Sequence, residues 1–478
     1  MTRYTSQIPG KQNKATKEQL ALYSQIDLSE ALKVNAINSQ TISLREKLAN
    51  VIPSTTYLTH GIHNFYPAKF IPQVPRYVIE KYRLRKKIIL DPFAGSGTTA
   101  LESMITGNSN ISSDINPMTP FLIDVKMLKL DTSKEMEYFK AISHHADIIF
   151  NNDKEFEPRW SNVDYWYRSD ILHRIKQMWA YIHSIDENVE PEIKTIIKAA
   201  GLYISRKYSF GDDETPKLTQ SRFKKARMEK LVDSLNNHGR SVLIKELKSR
   251  SFEYLKSCLE LNNRHKLNFS NISRLNNVSQ PFLYVTNKSI DLLPITIQPD
   301  TIDCIVTSPP YLYAQEYFRS TKIDLYWLDL LSDLQVKNLT KNEIGQKKTM
   351  FSENDGRIIN IRSYESALER IIDLSVNFKT QDNIQRFVSY FTDMQFFIRF
   401  AEEVLKTDGI LSIFIGEPKV FGHPISVKDI IIEIMIDCGF KIEETLFDLI
   451  KNRNLSKNRL NENPEGIAGE WLIVGRKP

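Results

Sequence analysis

The chain has few features of a secreted or membrane protein. Its 478 residues contain only three cysteines, Cys258, Cys304 and Cys438, which are scattered along the chain. An odd number without paired spacing predicts neither a disulfide framework nor a zinc site. No apolar run approaches the roughly 18 residues that a membrane helix needs. No signal-peptide pattern follows Met1. We therefore expect a cytoplasmic protein with no metal and no membrane partner.

What remains is the composition of a large globular protein. Hydrophobic residues make up 41% of the chain and charged residues 26%, which is ordinary for globular proteins. A chain of this length has room for about two to three domains and a large core. Composition alone says nothing more about function, so the interpretation depends on motifs.

The most informative segment is residues 91–99, with the sequence DPFAGSGTT. The apolar run before it, residues 86–90, ends at Asp91 and is typical of a buried parallel strand. Gly95 and Gly97 permit positive φ and let a ligand approach the backbone closely. The segment therefore predicts a ligand-binding loop at the end of a strand.

A helix is predicted directly after this loop, over residues 98–105. Ser96 or Thr98 is a candidate N-cap, and Gly107 is a candidate stop. A second strand then ends at Asp114, which lies 19 residues after Gly95. In Rossmann-like units an acidic residue about 20 positions after the glycine loop binds ribose hydroxyls.

The alternative for this region is an ordinary strand–turn–helix corner without a ligand. The order of strand, loop, helix, strand and acid favours a nucleoside cofactor instead. NAD is not expected, because the loop lacks the G-x-G-x-x-G spacing that seats a pyrophosphate.

A second motif follows about 210 residues later, at residues 307–311, with the sequence TSPPY. It comes directly after another buried-strand pattern. Pro309 and Pro310 end the strand and fix the backbone, so the Ser308 side chain and the Pro309 carbonyl are held in place. Two acceptors pulling on the N–H bonds of an aromatic amine favour a pyramidal nitrogen whose lone pair can attack. Tyr311 can stack on a base that has left the duplex. The alternative is merely a rigid turn.

Together, the two motifs indicate an S-adenosylmethionine-dependent methyltransferase acting on the exocyclic amine of a nucleobase. The chain resembles the DNA amino-methyltransferases, which make N4-methylcytosine or N6-methyladenine, usually in bacterial restriction–modification systems. The resemblance covers about residues 55–120 and 280–478. It includes residues 63–70, which look like the family's motif closing the methionine end of the cofactor pocket.

The resemblance implies a role for each matching residue. The cofactor-binding residues would be Lys69, Phe70, Asp91, Pro92, Phe93, Gly95, Gly97, Thr98 and Asp114. The catalytic residues would be Ser308, Pro309, Pro310 and Tyr311. Residues 286–289, where the family usually has a Gly-Asp-like turn, do not match, so no contact to the cofactor adenine is assigned there.

Two features point to different target bases. Family members with Ser-Pro-Pro-Tyr are commonly cytosine-N4 enzymes, whereas a large insert between the motifs is common among adenine-N6 enzymes. We expect cytosine N4, because residue 308 touches the amine. Adenine N6, an RNA base substrate and a non-catalytic DNA-binding subunit remain alternatives. The partner is expected to be double-stranded DNA, with any cognate restriction endonuclease on a separate chain. The resemblance also implies a bacterial or archaeal protein associated with the nucleoid.

Positive charge is concentrated in residues 201–280, which hold 16 Lys and Arg against 8 Asp and Glu. Its densest part predicts DNA contacts by Arg222, Lys224, Lys225 and Arg227. A solvated helix face is the alternative. Cys304 is a candidate for the cysteine nucleophile that cytosine-C5 enzymes use. Its place inside a strand pattern favours core packing.

The expected fold is α/β, a Rossmann-like methyltransferase sheet with helices on both faces plus a largely helical insert. The expected divisions are an N-terminal segment 1–51, a cofactor-binding half 52–125, an insert 126–280 and a catalytic half 281–478. Helices are predicted over 19–51, 165–185, 241–261, 322–331, 384–405 and 426–438. Strands at 410–415, 441–450 and 470–474 complete the sheet, the last two as a reversed pair.

Overall fold

The structure is a computed structural model of the chain. It describes residues 40–63, 65–66, 70–151, 153–185, 188–212, 218–235, 239–274, 281–286, 288, 290–313, 317–345, 361–378, 382–420, 423–450, 467 and 469–478.

A nine-stranded sheet forms the centre of the described part of the chain. Its strands, in chain order, are β1 (Gln40–Ile42), β2 (Ile88–Asp91), β3 (Ser109–Ser113), β4 (Ser270–Ile272), β5 (Phe282–Thr286), β6 (Ile302–Thr307), β7 (Leu405–Gly416), β10 (Lys441–Leu449) and β11 (Gly469–Arg476), with β8 (Lys419–Val420) and β9 (His423–Pro424) forming a separate pair. The spatial order is β1-β10-β11-β7-β6-β2-β3-β5-β4. Only β11 runs antiparallel to its neighbours β10 and β7. This confirms the expected reversed pair.

Fourteen helices occur among the described residues. They are α1 (Leu44–Lys47), α2 (Gln73–Lys81), α3 (Thr98–Ile105), α4 (Met118–Lys126), α5 (Glu135–Ile148), α6 (Ser169–Ser184), α7 (Pro191–Lys207), α8 (Arg222–Leu235), α9 (Gly239–His265), α10 (Tyr317–Trp327), α11 (Asp333–Thr340), α12 (Arg362–Phe378), α13 (Asp382–Val404) and α14 (Val427–Asp437). Short 3-10 turns accompany them. No described helix is long and apolar enough to cross a membrane.

Both faces of the sheet are covered, as the alternation of side chains along a strand requires. Leu90 and Ile305 point into a core shared with α13 and α14. Their chain neighbours Ile89 and Cys304 point into a core shared with α1 and α2. The expected α/β class, a Rossmann-like sheet with helices on both faces, is confirmed. Cys304 is fully buried in this core, as expected, and burial raises the pKa of its thiol.

The segment between the two motifs is mostly helical, from α5 to α9. Its helices share one hydrophobic core with α10, the first helix after the TSPPY motif, through residues such as Trp179 and Trp327. These two indole rings stack at 6.2 Å between centroids. The helical region is therefore packed directly onto the catalytic half of the chain.

One predicted helix is partly wrong. Residues 40–42 of the predicted 19–51 helix form strand β1, which pairs parallel with β10, and only Leu44–Lys47 is helical. The rest of that helix up to residue 39 lies outside the described residues. The short strand is favoured because Asp448 accepts a hydrogen bond from the Leu44 backbone at 2.6 Å. That contact comes from a residue about 400 positions away and leaves no local pattern.

Candidate active site

The two motifs lie at one edge of the sheet. Strands β2 and β6 are parallel neighbours, with Ile89 opposite Cys304 and Leu90 opposite Ile305. The carboxyl ends of parallel strands meet at the same edge, which is where open α/β sheets bind ligands. The cofactor loop after β2 and the TSPPY motif after β6 are therefore side by side.

A buried hydrogen bond joins the two motifs. Thr307 Oγ1 donates to Asp91 Oδ1 at 2.6 Å, and the Phe93 amide donates to the same oxygen at 3.1 Å. A second link runs from Thr99 Oγ1 to the Val306 carbonyl, at 3.2 Å. Burial raises the pKa of Asp91 to about 6, against the lowering effect of its hydrogen bonds from Thr307 and from the Phe93 amide. Asp91 thus fixes the loop of residues 91–99 against strand β6.

The loop has the backbone conformation that its glycines predict. Gly95 has φ 49° and Gly97 has φ 78°. A Cβ on Gly97 would lie 2.4 Å from Ile123 Cγ1, so this position needs glycine for both conformation and space. The predicted N-cap is wrong: Gly97 itself is the N-cap of α3 and no side chain caps it. Thr98 Oγ1 instead donates to the Phe70 carbonyl at 3.1 Å.

Asp114 lies at the end of β3, beside the loop. Its carboxylate accepts from the Gly95 amide and from the Asn116 amide, both at 2.8 Å. Desolvation raises its pKa to about 6, although the side chain is only half-buried. Each carboxylate oxygen has two lone pairs, so further hydrogen bonds can be accepted from a ligand.

Two buried side chains support the loop from helix α4. Lys126 Nζ donates to the Ser96 carbonyl at 2.6 Å, and Thr119 Oγ1 donates to the Gly95 carbonyl at 2.8 Å. Lys126 is only 1% exposed. Sequence analysis missed both residues, because a lysine in an apolar helix pattern shows no sign of which carbonyl it will meet.

Part of the segment ahead of the loop reaches the site. The Tyr66 ring lies next to Gly95, 3.1 Å from where a Cβ would stand. The Phe70 ring contacts the Phe414 ring, with 5.7 Å between centroids. Lys69 lies outside the described residues.

The predicted cofactor residues differ in accessibility. Phe93, Gly95 and Asp114 are half-buried and open to a ligand, as is Phe70, whereas Asp91, Pro92, Gly97 and Thr98 are buried. The structure thus brings all the described members together. The buried members shape the loop and the open ones form its surface.

The TSPPY motif has a hydrogen-bond partner that the sequence did not reveal. Ser308, Pro310 and Tyr311 are half-buried and Pro309 is buried. Tyr311 OH donates to Glu470 Oε1 at 2.7 Å, and Ser308 Oγ lies 3.5 Å from the same phenol oxygen. Glu470 is on β11, 159 residues further along the chain.

The predicted DNA-contacting residues lie on α8. Arg222, Lys225 and Arg227 are exposed, and Phe223 between them is 90% exposed. Lys224 differs from its neighbours: it is 5% exposed and its Nζ donates to the Arg206 carbonyl at 3.1 Å. The structure therefore corrects the role expected for Lys224, because a buried amine held by a carbonyl attaches α8 to α7.

Comparison with known proteins finds similarity to DNA methyltransferases. A family model described as DNA methylase matches residues 7–119. The chain resembles the DNA amino-methyltransferases of restriction–modification systems. It is 26% identical over 303 residues to the type II methyltransferase M.MvaI of Kocuria varians, which covers 59% of this chain and 60% of the relative.

Two further relatives match different lengths of the chain. The type II methyltransferase M.MjaII of Methanocaldococcus jannaschii is 43% identical over 113 residues, which cover 24% of this chain and 20% of M.MjaII. M.AvaI of Anabaena variabilis is 22% identical over 409 residues, which cover 82% of this chain and 80% of M.AvaI. The chain thus spans less than two thirds of M.MvaI and M.MjaII. Type II methyltransferases use S-adenosylmethionine as methyl donor, which confirms the expected cofactor.

Proposed function

We propose that this protein transfers a methyl group from S-adenosylmethionine to the exocyclic amine of a base in double-stranded DNA. The observation that carries the proposal is the hydrogen bond from the Thr307 hydroxyl to the Asp91 carboxylate. It holds the cofactor loop and the TSPPY motif at adjoining strand ends, which is the arrangement that a methyl transfer between two bound molecules needs.

The open residues of the cofactor loop suit this cofactor. The half-buried Asp114 carboxylate can accept hydrogen bonds from ribose hydroxyls, and the half-buried Phe93 ring offers an apolar surface beside it. When bound, the cofactor supplies an electrophilic methyl group on a sulfonium. The buried residues behind the loop keep its backbone in place, so little reorganisation is needed on binding.

The catalytic residues act on the base. Ser308 Oγ and the Pro309 carbonyl accept hydrogen bonds from the two N–H groups of the amine, which favours a pyramidal nitrogen with an available lone pair. Tyr311 stacks on the base after it has left the duplex. Neither step requires a strong base near the amine.

We propose cytosine N4 as the target atom. Ser308 supplies a neutral acceptor at the position where many adenine enzymes of this family have a carboxylate or amide. The insert between the motifs favours adenine N6 as the second candidate, but its side chains reach DNA around the target rather than the amine itself.

Nucleoside mass spectrometry tests the activity and the base together. The protein is incubated with S-adenosylmethionine and unmodified plasmid DNA, with total RNA as a parallel substrate. We expect N4-methylcytosine in the DNA, and its loss in Ser308→Ala. The control Ser270→Ala removes an exposed hydroxyl from β4 and is expected to keep full activity.

The outcomes of this experiment are separable. N6-methyladenine alone would show the base assignment to be wrong and leave the methyl transfer standing. Methylation of RNA and not of DNA would favour the RNA alternative. Binding of DNA and cofactor without any transfer would favour a non-catalytic subunit.

We further propose that α8 binds the phosphate backbone through Arg222, Lys225 and Arg227. The exposed Phe223 gives this surface an aromatic ring of the kind that stacks on bases. Changing all three cations to Gln is expected to weaken DNA binding and to reduce the salt slope of log K by about 3. The matched control changes three exposed lysines elsewhere to Gln: Lys140, Lys337 and Lys341. Equal slopes in the two triple variants would contradict the assignment.

A cognate restriction endonuclease on a separate chain completes the proposal. Methylated plasmid recovered from the mass-spectrometry reaction should resist an endonuclease activity in extracts of the source cell that cuts the same plasmid when unmodified. Equal cutting of both plasmids would argue against such a partner.

A further inference from the structure

Tyr311, the aromatic residue of the TSPPY motif, is held in place by contacts with two strands of the sheet. Its phenol donates to Glu470 Oε1 at 2.7 Å. A Cβ on Gly416 would lie 2.8 Å from Tyr311 Cε2 and 2.9 Å from Cδ2. The ring therefore lies directly against the backbone of Gly416, and its hydroxyl reaches Glu470.

Gly416 and Glu470 are direct partners in the ladder between β7 and β11. Directly opposed residues of an antiparallel pair have side chains close together on one face. One member of this pair has no side chain and leaves room for the ring, and the other provides a charged acceptor for its hydroxyl. Because β11 is antiparallel to β7, it begins at the edge of the sheet where β7 ends, so that Glu470 near its start reaches the TSPPY motif.

We propose that Glu470 is a positioning residue for methyl transfer, which acts by fixing the orientation of the Tyr311 ring. The proposal rests on the proposed function, since it concerns the stacking of Tyr311 on the target base. Without its acceptor the phenol can swing away from Gly416, and the base loses a fixed stacking surface. Ser308 Oγ, 3.5 Å from the phenol oxygen, would also face a displaced neighbour.

A charge-assisted hydrogen bond is among the stronger ones in proteins. Losing it should lower the single-turnover rate of methyl transfer about 10-fold to 100-fold, which corresponds to about 1.4–2.7 kcal/mol. The Michaelis constant for DNA and the affinity for S-adenosylmethionine should change much less, because Glu470 touches neither in this scheme.

A double-mutant cycle separates positioning from a general structural effect. The variants are Glu470→Ala, Tyr311→Phe and the two combined, measured by transfer of radiolabelled methyl groups to unmodified plasmid DNA. If Glu470 acts through the phenol, Glu470→Ala slows the wild type but has almost no further effect on Tyr311→Phe. Glu470→Gln keeps an acceptor oxygen and should recover most of the rate. The control Glu403→Ala removes an exposed carboxylate from α13 and should leave the rate unchanged.

Two results would overturn the proposal: a wild-type rate in Glu470→Ala, or the same slowing in both the wild-type and the Tyr311→Phe background. Melting curves identify any variant that fails to fold, and Glu470→Gln then provides the comparison. Failure of the wild-type protein to methylate DNA would count against the proposed function, whereas an active wild type with additive variants would count against Glu470 alone.

Discussion

The hydrogen bond from Thr307 to Asp91 leads to a quantitative prediction about stability. Thr307→Val replaces the hydroxyl by a methyl group of similar size, so the fully buried site keeps its packing. The Asp91 carboxylate then loses its 2.6 Å donor and retains the Phe93 amide. We expect a loss in the free energy of unfolding that depends on pH.

The pH dependence follows from the pKa of Asp91, which burial raises from 3.8 to about 6. Because the folded-state pKa is the higher one, the folded protein binds more protons between these values, and ionisation of Asp91 lowers stability as the pH rises through this window. The Thr307 hydroxyl opposes this effect by stabilising the ionised form. Removing it raises the pKa further and extends the loss to higher pH.

The expected sizes come from the two kinds of hydrogen bond. At pH 5 a mostly neutral acid loses a neutral hydrogen bond, at about 1 kcal/mol; at pH 8 an ionised group loses a charge-assisted one, at about 2–3 kcal/mol. Urea denaturation followed by tryptophan fluorescence measures both. The control is Thr301→Val, just before the same strand. It removes an exposed hydroxyl that donates to the Gln298 carbonyl at 2.7 Å. It should cost about 1 kcal/mol or less at either pH.

The reasoning would be refuted by a Thr307→Val variant that loses equal stability at pH 5 and pH 8. Such a result would mean that Asp91 does not change its charge between these pH values. A loss that is larger at pH 5 would reverse the sign of the linkage and would exclude Asp91 as the titrating group.

Three other predictions concern the site. The pKa of Asp114 is raised to about 6, and only its ionised form accepts fully from hydroxyls. Calorimetry should therefore show that the affinity for S-adenosylmethionine falls as the pH drops below about 6. Asp114→Asn should lose this pH dependence, and the same decline in that variant would remove Asp114 from the site. Ser308→Ala and Tyr311→Ala should cut methyl transfer while leaving cofactor affinity within about twofold, since both act on the base; full activity in Tyr311→Ala would contradict the stacking role. Gly97→Ala should destabilise the protein by about 1–3 kcal/mol, because its Cβ would overlap Ile123 and φ is 78°; an unchanged urea midpoint would show that the loop adapts freely.

The central fold could be predicted because local pattern and tertiary environment agree there. The strand before Asp91 and the strand before Ser308 are short apolar runs that end at turn-forming residues, which is the pattern of a strand buried on both faces. Helix α13 was predicted within a few residues because its aromatic residues recur on one stripe. The antiparallel pairing of the last two strands was predicted from the family resemblance, and it is confirmed by the pairing of β11 with β10.

Prediction failed where a distant residue decides the conformation. Residues 40–42 lie inside the segment 19–51, whose apolar spacing predicts a helix, yet they pair with β10, whose sequence lies about 400 positions away. The bounds of α3 agree with the prediction, but its N-cap does not, because Thr98 donates to the Phe70 carbonyl instead of capping its own helix. Lys224 was grouped with exposed cations by composition, but the carbonyl of Arg206 holds its amine inside.

The sequence by itself determined the class of the fold, the cofactor loop and the residues expected to grip an amine, because each is encoded in a contiguous stretch with a local physical meaning. Only the tertiary structure decided which side chains connect these stretches to one another and to the rest of the sheet. Asp91 meets Thr307, Lys126 meets the Ser96 carbonyl, and Tyr311 meets Glu470 across Gly416. Each of these contacts joins residues from separate elements, and their partners are set by strand order and register, which no local pattern records.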